Sequence, residues 1–344
     1  MFEKTLFGRI FQNFGVNLRT RDDYLVDTYS IKKDGAEKKN EVKQELIWIN
    51  VISIFFIHIY AVYVTLTYYR QLTVTLFLWG AYTCLLGGLG VTGGAHRLWS
   101  HKSYKAKLPF RIFLLFCFTL SGQNSIYDWV RDHRVHHKFS ETDADPHNVK
   151  RGFFFAHVGW LMMRKHPEVY EKGKTIDMSD IDNDPLLAFH RNYFIPLKII
   201  IAFIIPTIIP PLVWGESWKM TFLMVCVVKY VFLLNSTWSV NSAAHIWGNK
   251  PFDKSIKPAE NIWVSLWALG EGWHNYHHVF PWDYKAAEIG PYWSNITTLF
   301  IDMAAKLGLA YDLKHPSDEL ILETAKKRGD GSWTHCHGEE VKCE

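Results

Sequence analysis

Cysteine is sparse and unpatterned. Five residues (Cys84, Cys117, Cys226, Cys336 and Cys343) are scattered over 344 positions without framework spacing. This excludes a disulfide scaffold and predicts free thiols in a reducing compartment. Charge of one sign is also lacking. The net charge is only +4 and is dispersed, so the basic footprint of a nucleic-acid binder is missing. The start of the chain is charged and polar, which predicts that no cleavable signal peptide opens it. No internal repeat or low-complexity stretch appears, and Asp177–Pro185 reads as a plain polar loop. Hydrophobic residues nevertheless make up 48% of the chain while mean hydropathy is only −0.07, a combination that points to membrane segments diluted by a large polar part.

Four apolar runs reach the roughly 20 residues needed to cross a bilayer: Leu46–Tyr69, Thr73–Gly94, Tyr193–Trp214 and Trp218–Val240. Pro196, Pro206, Pro210, Pro211, Lys198, Lys219 and Lys229 fall within the last two. They are tolerable if neighbouring helices or a polar cavity receive them. Leu108–Ser121 is too short to cross and suits an interfacial or buried helix. Only Arg70–Leu72 and Gly215–Ser217 separate the paired runs, so each pair reads as a hairpin. Lys and Arg concentrate outside the hairpin tips, which predicts that both termini and the central segment are cytosolic. The expected architecture is an all-α integral membrane protein: residues 1–45 as an N-terminal segment, 46–331 as one domain of four spans under a helical cytosolic cap, and 332–344 as a tail. Phe2, Leu6, Phe7, Ile10, Phe11 and Phe14 recur at helical spacing, which fits a helix lying on a membrane or packed against the domain.

Three histidine clusters follow the patterns HxxxxH, HxxHH and HxxHH: His96 and His101; His133, His136 and His137; His274, His277 and His278. Residues three and four apart share a helical face, so each HxxHH is expected to aim three imidazoles at one point. His96 and His101, five apart, do not share an α-helical face and fit if the second span ends between them. Gly93 and Gly94, and Gly270 and Gly272, are expected to allow close backbone approach beside the clusters. Asp128, Asp132 and Glu271 are candidates to receive the free ring N–H of a ligating histidine. Eight clustered nitrogen ligands can hold more than one transition-metal ion. Structural zinc usually takes four ligands with cysteine among them, which this set does not match. Solvated or pH-sensing histidines do not explain three matched patterns. A metal transporter would place its ligands near the bilayer midplane, whereas these sit at the cytosolic ends.

These clusters, their order and the hairpin spacing closely resemble the membrane-bound acyl-CoA desaturases of the stearoyl-CoA type. The resemblance runs from about Leu46 to Gly331. It rests on Gly94-Ala-His-Arg-Leu-Trp-Ser-His101, on Asp132-His-Arg-Val-His-His-Lys-Phe-Ser-Glu-Thr-Asp-Ala-Asp-Pro-His147, on Arg151-Gly-Phe-Phe-Phe, on Asn241-Ser-Ala-Ala-His245 and on Gly270-Glu-Gly-Trp-His-Asn-Tyr-His-His278. The bare histidine patterns also occur in related hydroxylases, so a hydroxylase on the same scaffold, or a desaturase of another position such as Δ11, is the alternative to Δ9.

The resemblance implies two iron ions held by nine histidines, the ninth being His245, with Asn241 holding one ion through water. It implies dioxygen as co-substrate, a fatty acyl-CoA substrate, an endoplasmic-reticulum membrane, and electrons from cytochrome b5 and its NADH-dependent reductase. His166–Pro167 and His315–Pro316 do not continue into the Gly-Gly of a fused haem domain, so the electron donor is expected to be a separate protein. By resemblance Gln123, Trp129 and Thr237 shape a bend in the acyl slot and Trp238 lines it. Asn124, Arg131, Asp132, Arg164 and Lys165 meet the CoA head, with ordinary salt bridging as the plainer alternative. Animal relatives close the slot's blind end with tyrosine and alanine. Cys84 and Gly88 stand here, and both are smaller, which predicts a deeper floor. His58, His147, His157, His166, His190, His315, His335 and His337 are expected to lie outside the site.

Overall fold

The computed structural model describes residues 44–288 and 292–333. The amphipathic stretch at residues 2–14, Cys336, Cys343, His335 and His337 lie outside those residues.

Four helices are long and apolar enough to span a membrane, as the four runs predict: α1 Trp48–Gln71, α2 Val74–Ser100, α5 Phe194–Trp214 and α6 Trp218–Ile246. Between α2 and α5 come strand β1 Lys105–Ala106, helix α3 Leu108–Leu120 and helix α4 Ile126–Lys138; after α6 come α7 Ile262–Trp267, α8 His274–Val279, α9 Ile296–Lys306 and strand β2 Ala310–Tyr311. The two short strands pair antiparallel and form the only sheet among the described residues.

In α1 only Ala61 and Val64 are buried over Trp48–Tyr68. Many of its other large apolar side chains, among them Ile49, Phe55, Phe56, Val62 and Leu66, are exposed, which is stable only in a hydrocarbon solvent. Both hairpin turns are closed by polar side chains. Thr73 caps α2 by accepting from Leu76 N at 3.1 Å and donates its hydroxyl to Glu216 Oε1 at 2.6 Å, joining the two hairpin tips. Gly215, at φ +69°, ends α5 in the left-handed conformation.

The prolines of α5 are received by a neighbour. Pro210 has no N–H, so the Pro206 carbonyl one turn earlier has no intrahelical donor. The Trp79 indole N–H of α2 supplies that bond at 2.8 Å.

Helix α3 is the short apolar run. It begins with Pro109 in its first turn and buries Phe110, Leu114, Leu115, Cys117 and Phe118. Arg111 pairs with Asp184 at the cap. The helix lies hard against α2 at Gly90, where an added Cβ would stand 2.0 Å from Phe118 N. Gly90 is therefore the position of close backbone approach. Gly93 has only ordinary contacts, the nearest at 3.7 Å, and Gly94 faces the Trp99 side chain at 3.0 Å, so neither plays the part expected of it.

Two spans extend beyond their apolar stretches. α2 continues from Gly94 to Ser100, and α6 from Val240 to Ile246, each carrying ligand candidates up into the cap. The cap core there joins Leu98, Trp99, Leu114, Phe118, Ile126 and Ile301.

Candidate metal centre and acyl channel

The last eleven residues of α2, Gly90–Ser100, wind as a π-helix, and His101 N donates to His96 O at 3.1 Å in the five-residue pattern of that helix. Residues five apart then share a face. The span ends at Ser100, between the two residues as expected; what α-helical spacing does not foresee is that His96 and His101 point together because the helix end is wound more loosely, with His101 as its C-cap.

On α8 the short helix is fixed by Asn275. Its Oδ1 accepts from Phe252 N and Asp253 N at 2.8 and 3.0 Å, and its Nδ2 donates to Asp253 O and Pro258 O at 3.0 and 2.9 Å. Gly272 and Gly270 do permit close approach. A Cβ at Gly272 would stand 2.2 Å from Asn261 O, and one at Gly270 would stand 2.3 Å from Asn295 Oδ1.

Nine imidazoles converge in two groups whose ligand atoms all lie within 4.8 Å of one another. One comprises His96, His101, His133, His137 and His277. The other comprises His136, His245, His274 and His278. The expectation that each HxxHH aims three rings at one point is thereby corrected. On α4, His133 and His137 join the first group while His136 joins the second; on α8, His274 and His278 join the second while His277 joins the first. Positions i and i+4 lie about 40° apart around an α-helix, whereas i+3 and i+4 differ by about 100°, so the adjacent pair straddles two sites. His245, near the end of α6, is in the second group, and Asn241 lies one turn before it.

Buried carboxylates hold the rings from behind. His136 Nδ1–H donates to Asp145 Oδ1 at 2.8 Å, and His96 Nδ1 lies 2.8 Å from Glu271 Oε2. Glu141 Oε1 stands 3.8 Å from His245 Nδ1. Glu271 therefore stands behind a ligating histidine as expected, but Asp128 and Asp132 do not. Asp128 is spent on the N-cap of α4, accepting from Ser125 Oγ at 2.6 Å and pairing with Arg131. Asp132 takes Lys165 at 2.6 Å and Arg131 at 3.4 Å. Asp145 and Glu141 were missed by sequence reasoning, although they lie in the acidic loop immediately after the second cluster.

The electrostatics suit ligation. Burial, reinforced by the neighbouring imidazoles, holds His101, His133, His137, His274, His277 and His278 well below the ordinary histidine range, so these rings are neutral at physiological pH. Burial alone would raise Asp145, but His136 and His147 outweigh it and bring it down to about 2. In the same way Arg97, ahead of His96, outweighs burial at Glu271 and keeps it ionised. Arg97 contacts Glu271 at 2.9 Å and donates to the Tyr284 carbonyl, Thr298 and Asn295.

This donor set fits metal. Since the Nδ1–H of His136 is committed to Asp145, its Nε2 offers only a lone pair, and that atom is buried with no hydrogen-bond partner. Nε2 atoms face one another within each group at 2.8 Å (His101–His133), 2.9 Å (His96–His277), 3.0 Å (His245–His274) and 3.1 Å (His137–His277 and His274–His278). Donor atoms converging at such spacing are the arrangement that a bound cation would require.

Two cavities meet beside these groups. The inner one, about 530 Å³, runs from His96, His133, His136 and His274 past Gly88 and Cys84 to Gly80 and Phe77. The outer one, about 320 Å³, is lined by Gln123, Asn124, Asp132, Trp238 and others. They share Trp129, His133, Thr237 and Asn241. At this elbow Trp129 Nε1 donates to Gln123 Oε1 at 3.0 Å and Gln123 Nε2 donates to Thr237 Oγ1 at 2.8 Å. The three residues assigned to a bend are thus one hydrogen-bonded unit. Trp238 is bracketed by His58 and His157, each ring 5.9 Å away.

At the rim, Arg164 is half exposed and pairs with Glu45 at 3.0 Å, while Lys165 is committed to Asp132. His147 is buried, with its ring 5.6 Å from that of His136, yet it belongs to neither group. His58 and His157 are tied to Asn235 within the membrane bundle.

Fold and site together define a multi-pass membrane protein carrying a histidine-rich centre able to bind metal. A fatty acid desaturase family model matches residues 73–289. An acyl-CoA Delta-9 desaturase of Acheta domesticus is 52% identical over 298 residues, covering 86% of this chain and 83% of the relative. An acyl-CoA Delta(11) desaturase of Trichoplusia ni is 50% identical over 297 residues (86% and 85%), and a stearoyl-CoA desaturase of Homo sapiens 48% over 335 residues (95% and 92%). The chain belongs to the fatty acid desaturase family and is an enzyme, an oxidoreductase.

Removing the carboxylate behind His136 should weaken metal binding without emptying the fold. Asp145→Asn is expected to lower metal affinity by about 10–100-fold. Chelator competition with metal content read by mass spectrometry checks this, and an unchanged affinity would contradict the role given to Asp145.

Proposed function

We propose that this protein desaturates fatty acyl-CoA at Δ9, inserting a cis double bond with O2 as the oxidant. The observation that carries the reading is the position of two imidazole groups at the elbow of an apolar cavity. The catalytic body is residues 46–331, in the endoplasmic-reticulum membrane with both termini cytosolic. The overall reaction removes two hydrogens from adjacent methylenes; two further electrons and two protons complete the reduction of O2 to two waters. Those electrons come from cytochrome b5 and its NADH-dependent reductase.

His96, His101, His133, His137 and His277 would hold one iron; His136, His245, His274 and His278 would hold the other, with Asn241 reaching it through water. Bound iron would supply the oxidising power that an unactivated C–H bond demands. The protein's own contribution is positioning. Methylenes offer no handle for recognition, so the channel must choose among them by shape. The Gln123–Trp129–Thr237 unit bends the slot at the histidines, and Trp238 lines its outer limb. Apolar walls along α2 and α6 exclude water from the reacting carbons. At the cytosolic rim Asn124, Arg131, Asp132, Arg164 and Lys165 receive the phosphates and amides of CoA.

A second regiochemistry has one specific support: the Trichoplusia ni relative, named for Δ11, is nearly as similar at 50% as the Δ9 relative at 52%. Expression in a yeast strain lacking its own Δ9 desaturase tests the proposal. Growth rescue with new Δ9 monoenes, lost in His137→Ala, is expected. No new unsaturation from a membrane-inserted protein would overturn it.

Gly88 is overlaid by Leu269, whose Cδ1 stands 2.7 Å from an added Cβ, but the inner cavity passes Cys84 and continues to Gly80, where an added Cβ would meet nothing within 4 Å. Cys84→Tyr is therefore expected to shift preference toward shorter acyl-CoA, by about tenfold in relative kcat/KM for roughly 1.4 kcal/mol of lost space. Competition between chain lengths in microsomes measures it; a wild-type enzyme that already strongly prefers the shorter chains would contradict the deep floor.

A further inference from the structure

Two lysines lie inside the membrane bundle with no carboxylate beside them in any ion pair described. Lys198 stands in α5 and Lys229, only 5% exposed, in α6. Cations at that depth are costly and mark function unless a partner explains them. Their partners are backbone carbonyls, and the carbonyls belong to one turn.

Helix α3 ends at Leu120, where its last carbonyls have no intrahelical donor. The chain then turns at Gly122, whose φ is +70°, and delivers Gln123 to the elbow. Three side chains from α5 and α6 grip this turn. Lys229 Nζ donates to Leu120 O at 3.3 Å, Tyr230 Oη donates to Gly122 O at 3.3 Å, and Lys198 Nζ donates to Gln123 O at 3.2 Å. The Tyr230 ring also lies against Gly122, where an added Cβ would stand 2.8 Å from its Cε2. A cation at a helix C-terminus is well placed to meet the exposed carbonyls. From the gripped turn the Gln123 amide reaches Trp129 and Thr237, so the second hairpin is linked through backbone to the bend itself.

We propose that Lys198, Lys229 and Tyr230 are positioning residues that set regiochemistry. They fix where the elbow stands relative to the imidazole groups, and hence which carbon pair is presented. The proposal rests on the desaturase reading above. Because successive methylenes are chemically alike, a small displacement of the bend changes the double-bond position before it abolishes turnover.

Lys198→Met keeps length and apolar volume but removes the donor; Tyr230→Phe keeps the ring; Lys198→Arg restores a cation. Each is expressed in the desaturase-deficient yeast, double-bond positions are read by mass spectrometry of derivatised monoenes, and metal per chain is measured on purified protein. Lys198→Met and Tyr230→Phe should raise the share of displaced isomers about tenfold, equivalent to about 1.4 kcal/mol of lost discrimination. Lys198→Arg should return it toward wild type, and metal content should be unchanged in all three. An unaltered isomer distribution in both Lys198→Met and Tyr230→Phe, with turnover merely reduced, would overturn the positioning role and leave the desaturase reading intact. Absence of any desaturation by the wild type would instead defeat that reading, and this proposal with it.

Discussion

The structure depends on the convergence of nine imidazoles, each offering a ring nitrogen to one of two points where a cation would sit. Every nearby feature answers that constraint. α2 loosens into a π-helix so that His96 and His101 can face the same point. α4 and α8 each divide their three histidines between the two groups, so that neither site can be completed without both helices and a span. Buried carboxylates at Asp145 and Glu271 stand behind the His136 and His96 rings, and Arg97 balances the charge at Glu271.

The membrane supplies the second constraint. Spans α2 and α6 carry histidines at their upper ends and wall the inner cavity below, so the cavity and the histidine groups are aligned by the same two helices. The elbow between the cavities is a hydrogen-bonded unit of Gln123, Trp129 and Thr237 drawn from three separate segments. A slot without polar recognition along its length can select a carbon only through such a fixed bend.

Much of this was legible in the sequence because it follows from composition and period. Four runs of membrane length gave the spans, and the three clusters gave eight of the nine converging imidazoles. His245 and Asn241 came only from family resemblance, since a lone helix-end histidine carries no pattern. What stayed hidden depended on backbone geometry. An α-helical period wrongly separates His96 from His101, because nothing in Gly90–Ser100 announces a π-helix. The shared-face rule for residues three and four apart groups His136 with His133 and His137, although adjacent positions differ by about 100° and the structure divides them between two sites. Asp128 and Asp132 look like ring partners by proximity in sequence. Asp145 has that role because the loop after α4 folds back, a long-range outcome that spacing does not encode. Gly90 was overlooked for a related reason: its need for space comes from α3, which sequence alone does not place against it.

The central claim is that two distinct metal sites share one cavity elbow, one served by five histidines and one by four. Metal stoichiometry of the purified, detergent-solubilised protein, read by mass spectrometry, tests it most directly when wild type is compared with His245→Ala. Two irons per chain falling to one in the variant is the predicted result. A single ion in the wild type, or zinc in place of iron, would contradict it.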